Sequence, residues 1–228
     1  MQLQSMAAQT AEEIISKYIE AIGGYEKIKA IKTMIYEGIT RTRDYETHFK
    51  SYVINDSASH TDNISNNGES GYLIVTKTES WGFNAVKNTI EKKTEKEVKY
   101  LQYALDLQGP FIDYKQKKSK IKYLGKEIID SKEYSKVRLI KHNKDRLTYY
   151  FDSSYFILRA HYEPSGIYGP VYTIDYSYQA VDGGYFFTYK FINYERQSET
   201  IYTSIKVNPE IDRALFLPHN VNKRDSYH

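Results

Sequence analysis

The residues able to do chemistry are few and far apart. Six histidines stand singly at positions 48, 60, 142, 161, 219 and 228. None forms a His-x-His, a His-Glu-x-x-His or an i,i+4 pair, the spacings that turn two imidazoles toward one metal ion. Glu195 and Glu199 lie close in sequence, but paired carboxylates do acid–base work only at a fixed separation across a cleft. These two fall in an expected strand and turn. Gly68-Glu-Ser-Gly71 lacks the spacing of a nucleophile elbow, which sets its Ser on a sharp strand-to-helix turn. Gly23-Gly24 and Gly183-Gly184 read as a helix stop and a hairpin turn, not as a phosphate-cradling loop. The chain contains no Cys, which excludes disulfides, thiolate metal sites and a Cys nucleophile. The expectation is a non-enzyme with no catalytic residue, no metal and no cofactor. A hydrolase acting on envelope lipids stands only as a third reading.

Charge narrows the partners. The 228 residues include 32 basic and 29 acidic side chains, a net charge of +3. Nucleic-acid binders usually carry a larger basic excess, so no nucleic acid is expected. No run approaches the roughly 18 apolar residues of a membrane-spanning helix. Met6-Ala-Ala-Gln-Thr10 resembles the small-residue end of an export signal, so residues 1–9 are expected to be a flexible remnant and the protein periplasmic. A cytoplasmic chain with a loose N-terminus is the plainer reading of the same residues.

The elements that would position any site are mostly strands. Tyr occurs 24 times, Phe 9 times and Trp once, a composition that favours β structure. Residues 123–194 form a series of short β-branched and aromatic runs separated by Asn, Asp, Gly, Ser and Pro, as in consecutive hairpins. Further strands are expected over 32–43, 45–54, 60–64, 71–77, 115–126 and 199–207. On alternation, Leu147, Tyr149 and Phe151 share one face, as do Tyr172, Ile174, Tyr176 and Tyr178. Ile201, Thr203, Ile205 and Val207 should oppose Tyr202, Ser204 and Lys206.

Three helices should lie on this sheet. Thr10 and Glu13 have capping-box spacing, and Ala11, Ile14, Ile15, Tyr18, Ile19 and Ile22 make one apolar stripe. A short helix should follow over 25–31, and a third over 94–107, stopped by Gly109-Pro110. Asn208-Pro209-Glu210 reads as an N-cap with Pro at the first helical position. Six lysines over 115–126 can guard an exposed strand edge; attraction to an anionic membrane is the sharper alternative.

Ala11-Glu-Glu-Ile-Ile-Ser-Lys-Tyr-Ile-Glu-Ala-Ile-Gly-Gly24 resembles the opening of the bacterial outer-membrane lipoprotein-sorting proteins, the LolA/LolB-like family. The likeness continues through Tyr123-Leu-Gly-Lys-Glu127, Tyr149-Tyr-Phe-Asp152, Val181-Asp-Gly-Gly184 and Val207-Asn-Pro-Glu-Ile-Asp212, in order, and is nearest to secreted Bacteroidota-type members. It implies an α+β, mainly antiparallel fold: an incomplete, half-open β-barrel of about 10–11 strands covered by a lid of amphipathic helices. It implies a single domain over 10–218 with a polar tail over 219–228. It also implies a soluble, monomeric carrier of lipoprotein acyl chains or another lipid-like ligand, in transient contact with envelope membrane proteins. An arginine on a strand holds the lid shut in well-studied carriers; Arg41 and Arg43 lie in about that region, and no motif fixes the correspondence. The residues expected to line an apolar cavity are Tyr36, Trp81, Leu101, Leu105, Leu147, Tyr149, Phe151, Tyr172, Ile174 and Tyr176. The competing reading is a β-rich structural or interaction module of the envelope with a closed core, in which the same residues are ordinary packing.

Overall fold

A computed structural model describes residues 9–84, 87–164 and 172–218. The expected N-terminal remnant, apart from Gln9, and the polar tail with His219 and His228 lie outside the described residues. The first helix, α1 (Ala11–Ala21), starts where the capping box puts it. Thr10 Oγ1 accepts a hydrogen bond from Glu13 N at 3.1 Å, and Glu13 Oε2 accepts one from Thr10 N at 3.0 Å. Gly23 and Gly24, at φ +133° and +91°, end it in a backbone region that side chains disfavour. The next helix, α2 (Tyr25–Lys29), is two residues shorter than expected.

The sheet has thirteen strands. They are β1 (Thr33–Arg41), β2 (Glu46–Ile54), β3 (Ala58–Ser65), β4 (Ser70–Thr76), β5 (Ser80–Asn84) and β6 (Thr89–Lys92), then β7 (Lys120–Ile129), β8 (Lys132–Ile140), β9 (Arg146–Phe151), β10 (Ile157–Glu163), β11 (Tyr172–Val181), β12 (Tyr185–Asn193) and β13 (Ser198–Val207). Each pairs antiparallel with its sequence neighbour, except that the chain breaks between β6 and β7 and is rejoined where β1 pairs β13. A helix, α3 (Glu95–Leu101), continuing as a 3-10 turn (Gln102–Leu105), occupies that break. Since β6 and β7 remain edges, the barrel is open.

Two strands exceed the expected number. β5 is only five residues long and contains Gly82, so its Trp81/Phe83 alternation is too short to mark a strand, and all four residues of β6 are exposed, so it shows no apolar alternation. The charges of 91–97 read as the approach to a helix. That helix has its own capping box, Thr94 with Glu97, but it tightens to a 3-10 turn and stops at Asp106, before Gly109. β8 also starts four residues earlier than its apolar run, because Asp130 and Ser131 at φ +49° and +64° form a two-residue primed turn. Asn208 is not a helix cap. Its Oδ1 accepts from Lys32 N at 2.8 Å, and the last 3-10 turn (Arg213–Phe216) is capped by Asp212.

Bulges change which residues face inward. The β1–β13 register slips at Glu37/Gly38, so Thr203 has no partner; Tyr202 pairs Gly38 while Ile205 pairs Tyr36. Tyr202 therefore joins Ile205 and Val207 on the concave face, correcting the simple alternation along 199–207. One extra residue swaps the faces.

The interior is filled at one end. α1 lays Ala11, Ile14 and Ile15 against Val137, Leu139, Tyr149, Phe151, Ile157 and Ala160. Tyr18 meets Phe111 and Phe151 edge-on at 5.8 and 5.6 Å. Ile22, Ile28 and Ile31 continue the packing onto Met34 and Ile112. Fully burying side chains of this kind contributes about 1.5–3 kcal/mol each, which holds the helices to the sheet. A third cluster of Tyr72, Ile74, Phe83 and Trp81 lies on the opposite face of the sheet. The ladder without slips from Tyr36 through Ser51, Thr61 and Leu73 to Gly82 puts Trp81 on that convex side. His60 belongs to it, stacked on Tyr72 at 5.3 Å with Nδ1 2.7 Å from the Leu215 carbonyl oxygen.

Candidate ligand site on the concave face

Tyr36, Gly38 and Phe49 from β1 and β2 share the concave side with Ile174 and Tyr176 of β11, Phe191 of β12 and Tyr202 of β13. Inward β11 residues keep an even parity because the slip in the β11–β12 ladder falls on β12, leaving Tyr189 as the extra residue. Tyr202 is the hub of this face. Its ring meets Tyr36 at 5.5 Å, Phe49 at 5.8 Å and Phe191 at 6.1 Å. Yet Phe49, Tyr172, Ile174, Phe191 and Tyr202 belong to none of the three packed clusters, and each is only half-buried. α1 covers the β7–β10 side, and Ile22, Ile28 and Ile31 pack at the Met34 end of β1, which leaves the aromatic wall of Phe49, Ile174, Phe191 and Tyr202 incompletely covered.

The tyrosine hydroxyls report the same space. Burial pushes Tyr202 and Tyr172 up to about 12, and drives Tyr36, Tyr149 and Tyr176 higher still. Among the described residues the hydroxyls of Tyr36, Tyr149, Tyr176 and Tyr202 have no hydrogen-bond partner. Among the described residues, the one sealed side-chain polar atom without a hydrogen bond is Oε2 of Glu163. The four hydroxyls are therefore not fully sealed, although burial dominates their surroundings. An apolar wall with scattered hydroxyl tips can hold a flexible apolar ligand without fixing its orientation.

α3 and its 3-10 turn form a strap across one end. On one side Leu105 O accepts from Asp56 N at 2.8 Å, and Leu107 N donates to Asn55 Oδ1 at 2.9 Å. On the other, Tyr103 reaches the β8–β9 hairpin. Buried Asp145 accepts from Tyr162 Oη at 2.9 Å and Asn143 Nδ2 at 2.8 Å, with Tyr103 Oη at 3.5 Å. Lys141 Nζ lies 3.6 Å from the centre of the Tyr103 ring, and burial lowers the Lys141 pKa. Beside the strap opens a cleft of about 680 Å³, whose floor includes Leu139 and Tyr149 and whose walls include Lys29, Asp106, Lys117 and His142. Lys117 Nζ bonds Asp106 at 2.7 Å, and Lys29 pairs with Asp113.

The expected lining residues separate into three groups. Tyr36, Tyr172, Ile174 and Tyr176 lie together on the concave face, and Tyr149 joins them at the cleft floor. Leu147 is half-buried at the margin of the α1 cluster, while Leu101 and Leu105 sit on the strap, Leu105 fully buried. Phe151 faces inward but is 0% exposed, locked between Tyr18 and Phe111. Trp81 is the correction: it stands on the convex face. Phe49, Phe191 and Tyr202 were missed because only the bulge at Thr203 turns Tyr202 inward, and Phe49 and Phe191 are identified by pairing rather than local pattern. No group of three or more His, Asp or Glu able to hold a metal occurs among the described residues.

No protein-family model matches the sequence, and no curated protein matches it. Solved structures do. A DUF1329 family protein from Desulfovibrio piger superposes with a TM-score of 0.61 at 10% identity, covering 90% of this chain and 96% of the other. A LolA superfamily protein from Nitrosomonas europaea gives 0.56 at 14% identity, covering 92% and 99%. A domain assigned to outer membrane lipoprotein sorting from Vibrio parahaemolyticus gives 0.55 at 10% identity, covering 90% and 94%. At these identities the likeness is one of fold: the open barrel with a helical lid.

Proposed function

We propose that this protein is a non-catalytic carrier that holds the acyl chains of lipoproteins, or a similar hydrophobic ligand, on its concave aromatic face, and that it works in the periplasm as a monomer. The observation that carries this reading is the half-buried wall of Phe49, Ile174, Phe191 and Tyr202, facing inward yet outside every packed cluster. The fold it shares with lipoprotein-sorting structures supports the same direction. An acyl chain gains about 0.8 kcal/mol per buried CH₂, so roughly ten buried carbons give about 8 kcal/mol gross, from which the cost of association is subtracted, and longer chains bind more tightly. Uptake and release then need only movement of the strap, without bond chemistry.

The tight Tyr18–Phe111–Phe151 packing favours the second reading, an envelope interaction module with a closed core. Native mass spectrometry of protein purified from an exporting host, followed by lipid extraction, separates the two. The carrier reading expects adduct masses of acyl lipids, or stoichiometric uptake of an added fatty acid. Protein that neither retains nor takes up any acyl ligand overturns it.

A further inference from the structure

We infer that the convex face of β7–β10, beside the Leu139/Tyr149 cleft, is a docking surface for an anionic lipid bilayer. The strand register assembles it. One row runs Lys120, Ile140, Arg146, Glu163, and the next runs Lys122, Arg138, Thr148, His161. Lys118, between the cleft residues Lys117 and Ser119, and Lys144 on the β8–β9 hairpin carry the charge to the cleft lip. Of these cations, only Arg138 has a carboxylate within 4 Å among the described residues, namely Glu163 at 3.6 Å. Farther along the same hairpin the lysines are matched: Lys126 pairs Glu133 and Lys136 pairs Glu127, both at 2.6 Å.

Lys122 stands directly opposite Arg138, and facing like charges on adjacent strands destabilise a sheet. Guarding the β7 edge explains Lys120 and Lys122. It does not explain Arg138, Lys144 and Arg146, which lie on or beside interior strands. A pleated face presents cations about 7 Å apart along a strand and about 5 Å apart across strands. Such an array suits a fluid layer of phosphates better than one stereospecific partner. Docking there sets the cleft lip at the headgroup level. The surface rests on charge placement alone and does not depend on the carrier reading.

The test is co-sedimentation of the full chain with vesicles of phosphatidylglycerol and phosphatidylethanolamine, and with neutral phosphatidylcholine vesicles, at low and high salt. The variant Lys120→Glu/Lys122→Glu is compared with Lys87→Glu/Lys206→Glu, which changes net charge equally on exposed lysines elsewhere. Thermal melts establish that both variants are folded. The expected result is salt-sensitive binding to anionic vesicles only, reduced at least roughly thirtyfold by the first variant, on the scale of two lost surface cations. The control is expected to keep most of the binding. Wild-type protein that does not bind anionic vesicles, binds neutral ones as well, or loses as much through the control variant overturns the proposal. Capture by an acidic polypeptide without vesicle binding also overturns it. Acyl lipid retained by the charge-reversed variant keeps this outcome separate from the carrier reading.

Discussion

Gly38 on β1 lies directly opposite Tyr202 on β13, and its missing side chain is the space through which Phe49 and Tyr202 meet at 5.8 Å. A Cβ at this position would stand 2.6 Å from Phe49 Cζ and closer still to the Ile201 carbonyl oxygen. Two aromatic rings from β2 and β13 thus close over a glycine of the strand between them. The bulge at Thr203 is what delivers the second ring.

Gly38→Ala should therefore be disruptive although alanine is the smallest change available. The backbone carbonyl cannot move aside as a flexible side chain could, so overpacking of about 1–3 kcal/mol is expected. A fall in thermal midpoint measures it. A melt unchanged from wild type would mean that the two strands separate freely here and that the face is not set by this contact.

Ile174 pairs Ala160 and Asn193 on the concave side and is only half-buried. Ile174→Trp should fill part of the open face while costing less than about 1 kcal/mol, as for other sites with room to spare. Uptake of a fluorescent fatty acid is expected to fall several-fold with little change in urea midpoint. A large loss of stability with unchanged uptake would place Ile174 in packed core instead.

Asp145 of the β8–β9 hairpin accepts from Tyr103 Oη of the strap at 3.5 Å and from Tyr162 Oη of β10, and it also holds Asn143, whose Nδ2 donates to Tyr103 Oη at 2.6 Å. Asp145→Ala leaves buried donors without an acceptor, which costs about 1–3 kcal/mol. The expected readout is faster amide exchange across residues 95–105, with exchange in α1 unchanged. Uniform acceleration across the whole chain would show global destabilisation rather than release of the strap.

Acid stability should depend on Asp175. Burial alone would raise its carboxyl, but hydrogen bonds from Arg159 and Tyr194 and the Arg159 charge outweigh burial and hold it below its ordinary value. Arg159 grips it at 2.5 and 2.8 Å, and Tyr194 Oη donates at 2.6 Å. A carboxyl held low in the folded state stabilises fully above its unfolded pKa of about 3.9. That stability is lost as pH falls through the folded value. Asp175→Asn should flatten the fall in urea midpoint below about pH 4 while lowering stability at neutral pH. An acid limb as steep as that of wild type would assign the effect to other carboxyls.

Much of this architecture is legible along the chain because local rules govern it. Thr10 with Glu13 starts α1 and Gly23-Gly24 stops it, since capping and left-handed backbone are properties of a few adjacent residues. The alternation of Leu147, Tyr149 and Phe151, and of Tyr172, Ile174 and Tyr176, places them correctly for the same reason: no slip interrupts β9 or β11 within those residues. β6 escapes local reading because an edge strand exposed on both faces carries no hydrophobic period, and β5 because its five residues are too short a run to mark a strand.

What the sequence determined by itself is the class of molecule: a Tyr-rich antiparallel sheet, amphipathic helices to lie on it, and no cysteine chemistry. What only the tertiary structure decided is which aromatics share a surface. Trp81 and Tyr36 are both large, apolar and in strands, yet five strands of uninterrupted register set them on opposite faces. Tyr202 reached the concave wall through one unpaired residue, Thr203, whose effect exists only relative to β1. Side-chain direction in a strand is local, but the face it points to is defined by pairing, for Trp81 through a ladder of four hairpins and for Tyr202 with Gly38 more than a hundred positions away, and that is settled by the assembled sheet.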